Sequence, residues 1–122
     1  MVAYAAWSLL AGDAYARSER VVRDTRREIA TAMRAFEREL ESINRKAKSG
    51  RSGAGAEIDK RAAAAAQAID DIVDRADDRL DGLDIDVRTQ HNRMDRIERG
   101  AAEAKAMVKQ LADEAKQKGK GS

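Results

Sequence analysis

A chain of 122 residues has room for one domain, and a composition that is 38% charged and 3% aromatic leaves little from which to build a globular core. Much of the apolar fraction is alanine, which buries little area at about 25 cal/mol per Å², so the balance suits long thin helices that bury a single seam. The lack of cysteine excludes disulfides, thiolate nucleophiles and zinc–thiolate sites.

The net charge of +2 hides a segregation by sign. Residues 13–51 carry eleven Lys/Arg against seven Asp/Glu, residues 57–86 four against ten, and residues 87–122 nine against five. Blocks of alternating sign favour helices that pack on one another over a single basic nucleic-acid face. Exposed pairs of this kind are weak and salt-screened, so they select register more than they stabilise.

Residues 1–12 form an apolar N-terminal segment holding the only Trp and one of two Tyr. Val2–Ala11 is about half a membrane-spanning length and reads as neither a signal peptide nor a spanning helix. Apolar side chains all round it imply burial against other helices or subunits. The sharper alternative is a transient membrane or partner contact through Tyr4, Trp7, Leu9 and Leu10. Gly12-Asp13 offers a break and an N-cap, or the helix runs straight through.

Residues 13–48 predict a first long helix. Tyr15, Val22, Ile29, Phe36 and Ile43 recur seven apart, with Met33, Leu40 and Ala47 interleaved and Arg26 interrupting the line. Asp13–Arg17, Glu19–Arg23 and Glu41–Arg45 are spaced as i,i+4 ion pairs. Residues 49–55, Ser-Gly-Arg-Ser-Gly-Ala-Gly, hold three of the eight glycines in a chain without proline, and predict a hinge.

The seam resumes at Ile58 and runs through Ile69, Ile72, Leu83, Met94, Ile97, Val108 and Leu111. Residues 56–118 therefore form either one second helix or two helices that break near Gly82. The phase kept through Gly82 favours continuity, against a glycine cost of about 1 kcal/mol. Residues 119–122 form a flexible tail. The expected fold class is all-α: a long helical hairpin or coiled coil with a glycine-rich turn at 49–55. Folded back at that turn, Phe36 faces Ile69, Met33 faces Ile72 and Val22 faces Leu83. The first helix then runs out near Asn92, leaving Val108, Leu111 and Ala115 bare and predicting a homo-oligomer or a place in a larger assembly.

Chemistry is sparse. His91 is alone, and the dense acids between Asp70 and Asp86 lack the spacing of a calcium loop and read as a solvated helical face. No metal site, cofactor or catalytic set is assembled, so the chain reads as non-enzymatic. A second reading puts duplex DNA, bound non-specifically, on Arg20, Arg23, Arg27, Arg34, Lys116, Lys118 and Lys120. Against it, the arginines of the first helix are expected to lie around it rather than along one ridge.

The apolar start with Ala5-Ala6-Trp7, the Arg/Glu-rich run Arg17–Arg45 and the stretch Ser49–Gly55 give a layout that resembles the small internal core (ejection) proteins of T7-like short-tailed phages. The likeness is one of layout over most of the chain; those relatives carry an additional C-terminal segment, which speaks against a membrane-channel role here. The resemblance implies a structural component of the virion, packed in the head or tail beside other virion proteins and delivered in DNA ejection. Without it, the expected location is the cytoplasm.

Overall fold

The structure, a computed structural model, describes residues 2–48 and 53–120, with side chains from Gly12 to Ala47 and from Gly53 to Lys118. Among the described residues the chain is all-α, with helices α1 (Val2–Lys48), α2 (Ala54–Asp81) and α3 (Val87–Lys120). Each packs on both others.

Ion pairs fix the directions. Glu28 meets Arg79 at 3.2 Å and Glu39 meets Arg61 at 3.8 Å, so α1 and α2 are antiparallel. Asp70 meets Lys105 at 2.9 Å and Asp59 meets Lys116 at 2.8 Å, so α2 and α3 are antiparallel too. Glu19 reaches Arg96 at 2.8 Å and Arg93 at 3.1 Å, while Tyr15 reaches Asp86, which sets α3 parallel to α1. The result is an up-down-up three-helix bundle.

The core runs the length of the bundle in two clusters. Toward the α1–α2 turn, Ile29, Phe36, Leu40 and Ile43 pack with Ile58, Ile69, Ile72, Ala101, Val108, Ala112 and Ala115. At the other end Val22, Ala76, Leu80 and Ile97 are closed over by Leu83, Ile85 and Met94. The α1–α2 ion pairs straddle the register in which Phe36 faces Ile69, and both are fully buried.

Four expectations are corrected. The seam of the C-terminal third is not bare: Ile97, Val108, Ala112 and Ala115 are buried between α1 and α2, and Leu111 is half-buried. Of the two readings of residues 56–118, the favoured continuity fails and the break near Gly82 holds. The Gly82 amide donates to the Asp78 carbonyl and the Leu83 amide to the Leu80 carbonyl, and Asp86 caps α3 by accepting from the Thr89 amide at 2.7 Å. Gly82 has φ −78°, so left-handed freedom is not what ends α2. Burial of Leu83 and Ile85 at the bundle end, followed by an aspartate cap, turns the chain.

The N-terminal segment is no separate element either, since α1 runs unbroken from Val2 through Gly12-Asp13, and Asp13 pairs with Arg17 at 3.0 Å. In the expected hinge, α2 already begins at Ala54, just after Gly53 at φ 92°, which only glycine adopts without strain. Residues 49–52 and the end of the tail lie outside the described residues.

Within α1 the inward line differs at two places. Tyr15 is 37% exposed and Arg26 is exposed; Ser18 and Thr25, both fully buried, hold those turns of the seam. Ser18 donates to the Tyr15 carbonyl at 2.6 Å and accepts from Arg93 Nε at 3.1 Å.

Candidate nucleic-acid interface

Burial of Val22, Ile29, Phe36 and Ile43 fixes how α1 is rotated, and so fixes what it shows to solvent. Arg20, Arg23, Arg27, Arg34, Arg38 and Arg45 recur at steps of three, four or seven, all on the side away from the core, and all are exposed. This overturns the expected scatter. Only Arg17 and Arg26 stand off the ridge, which extends roughly 38 Å at ~1.5 Å per residue.

Three acids of α1 are spent within the bundle, while Asp24, Glu37 and Glu41 stay exposed beside the arginines without an ion pair among the described residues. Glu28 and Glu39 turn to arginines of α2, and Glu19 to Arg93 and Arg96 of α3. The hydrogen bond from Arg96, with the charges of Arg93 and Arg23 behind it, holds the Glu19 carboxyl below its ordinary range. Two of the expected i,i+4 pairs are absent for this reason or by geometry: Glu19 leaves Arg23 for α3, and Glu41 is not bridged to Arg45. Among the described residues none of the six ridge arginines has an ion pair; Arg34 donates to the Thr31 hydroxyl at 3.2 Å.

Beside the ridge, α1 and α3 enclose a groove of about 460 Å³, lined by Val22 and Ala30, by Arg23, Arg26, Arg27 and Arg96, and by Glu19. Arg26 leans over α3 at Gly100, its Nε 3.8 Å from where a Cβ would stand. Arg23 and Arg27 belong to both the ridge and the groove, and Arg96 carries the groove's basic lining onto α3.

Of the other residues considered for DNA, Lys116 is drawn away: it bridges Asp59 at 2.8 Å and lies 3.8 Å from Asp113, and its ammonium is held above its ordinary range chiefly by the Asp59 hydrogen bond. Lys118 is exposed, and the side chain of Lys120 lies outside the described residues. The same is true of Tyr4, Trp7, Leu9 and Leu10. The packing residues Met33, Leu83 and Met94 are half-buried beside the core.

His91 is exposed. The α2 acids divide: Asp70 bridges Lys105 and Asp81 accepts from Gln90, whereas Asp71, Asp74 and Asp78 carry no ion pair among the described residues. No group of three or more His, Asp or Glu side chains among the described residues is placed to hold a metal ion. No described helix is long and apolar enough to cross a membrane. Sequence reasoning missed Arg93 and Arg96 as organisers of the α1–α3 face. Their only signal is an i,i+3 spacing, and its meaning depends on α3 lying parallel to α1.

Comparison with protein-family models, characterised proteins and solved structures finds no match to this chain.

Proposed function

We propose that this chain is a non-enzymatic helical assembly protein that lies against duplex DNA through the outer face of α1. The observation that carries the reading is the ridge of six exposed arginines with no intramolecular ion partner among the described residues. A rigid helix bearing guanidinium groups over roughly 38 Å spans about one turn of B-form duplex, ~34–36 Å, and phosphate contacts made this way are sequence-independent. Near-absence of aromatic side chains argues against stacking on single strands. The layout resemblance supplies the setting we favour: the interior of a phage virion, beside packaged DNA and other virion proteins.

The test is a salt titration of binding to random-sequence duplex. Log affinity should fall linearly with log salt, with a slope of about −0.9 per phosphate neutralised. R20Q/R23Q/R27Q/R34Q should lower affinity at least tenfold at low salt and flatten the slope, with helicity unchanged. Tight binding in half-molar salt, or a quadruple variant that binds like the wild type, would sink the reading.

A further inference from the structure

Three of the arginines that line the α1–α3 groove, Arg23, Arg26 and Arg27, are exposed and have no ion pair among the described residues. Their spacing of i, i+3 and i+4 sets them side by side on one flank of α1. Glu19 is the one acid among the described lining residues, and it is already shared between Arg96 at 2.8 Å and Arg93 at 3.1 Å. Its charge is answered chiefly from α3 and does not cancel the α1 trio. The other exposed acids of α1 stand elsewhere. Asp24 is one turn before Glu28, on the flank that meets α2. Glu37 is a heptad past Ala30, beyond the groove's end, and Glu41 is further still. On α3, Glu103 is a heptad past Arg96 and likewise outside the lining.

Val22 is buried and Ala30 half-buried, so the charges stand around an apolar wall with a small side chain at its end. Low-dielectric walls beside charges of one sign concentrate the field between them. The volume, about 460 Å³, is that of a small-molecule site. None of its described lining residues is aromatic, so a nucleobase finds nothing to stack on. Guanidinium forks take both carboxylates and phosphates. A carboxylate is planar and fits one fork, whereas a phosphate brings about two negative charges and three acceptor oxygens that several guanidiniums can share.

We infer that the α1–α3 groove binds a small molecule through a short chain of linked phosphates, held by Arg23, Arg26 and Arg27. The phosphates are recognised whatever they are attached to, because the lining offers the rest of the ligand no specific contact. The site does not rest on the DNA reading, although Arg23 and Arg27 serve both.

Tripolyphosphate is the probe, titrated by calorimetry into the full chain at low ionic strength, where exposed charges are least screened. One tripolyphosphate should bind per chain, ATP should bind with similar affinity, and citrate should bind about tenfold more weakly or worse. R26Q should weaken tripolyphosphate binding about tenfold, with helicity retained by circular dichroism. R75Q removes the same charge from an exposed position on α2, away from the groove, and should change the affinity less than about twofold. No binding of tripolyphosphate, citrate bound as tightly, ATP bound far more tightly, or R75Q as damaging as R26Q each overturns the proposal. Arg26 stands off the ridge, so R26Q should still bind duplex DNA. A chain that binds duplex but not tripolyphosphate therefore rejects only this site, and one that binds tripolyphosphate but not duplex rejects only the DNA reading.

Discussion

Thr25 is fully buried among α1's apolar neighbours, and its hydroxyl has no hydrogen-bond partner. An unsatisfied buried hydroxyl costs about 1–3 kcal/mol, so Thr25→Val, which keeps the shape, should stabilise the bundle by about 1 kcal/mol in urea unfolding. Ser18 is the contrast, since it is equally buried but bonded on both sides. Asp86 holds the end of the bundle together by accepting from the Tyr15 hydroxyl and the Thr89 amide, both at 2.7 Å. The Tyr15 hydrogen bond first, then those from Thr89, keep its carboxyl below the ordinary aspartate range. A folded pKa below the unfolded value means that the stabilisation is complete above the unfolded value, about 3.9, and is lost as pH falls through the folded one. Glu19, also lowered, adds to the same acid limb, while Lys116, raised, contributes below its unfolded pKa and is lost as pH rises through the folded one. Stability should thus be flat through neutrality and fall at both extremes. Asp86→Asn should lower the urea midpoint at pH 7 and reduce the loss between pH 5 and the acid limit, a change read by chemical denaturation across pH.

At the scale of elements, two glycines should respond oppositely to the same substitution. Gly12 lies inside α1 with nothing within 4 Å of where a Cβ would stand, so Gly12→Ala should stabilise by about 1 kcal/mol through helix propensity. Gly53 stands before α2 at φ 92°, and Gly53→Ala should cost about 1 kcal/mol or more. Thermal melts of the two variants would decide this, and equal shifts would contradict the assigned backbone. Helix type was legible because a 3-4 apolar repeat is a local property. The α2–α3 break was harder to see, because the seam's phase survives it. Its real signals were Asp86 as a cap and Leu83 with Ile85 as a pair that could be buried only if the chain turned. The arginine ridge was present in the spacing too, but the eye needs the buried face fixed first. Counting the seam through Tyr15 and Arg26, three residues before Ser18 and one after Thr25, blurs that face.

For the whole molecule, the test of a closed three-helix core is Val108, which a two-helix hairpin would leave bare and which is 2% exposed here. Val108→Ala should cost about 2 kcal/mol from lost burial and a cavity, seen as a lower urea midpoint in one cooperative transition. A neutral result would mean that α3 does not dock. Local pattern was enough to specify an all-helical chain, the apolar residues of each seam, a reversal around Gly53 and the separation of charge into blocks, because helix periodicity and backbone freedom are written within a few neighbouring residues. That the last third turns at Gly82–Asp86 and closes the seam left open by the first two helices emerged from the packed bundle alone. So did the division between charges used inside the bundle and charges that remain outside. Both outcomes depend on how residues some 50 to 80 positions apart meet, as Glu28 meets Arg79 and Glu19 meets Arg96, and burial of apolar surface against two partners at once is a contest that no local pattern records.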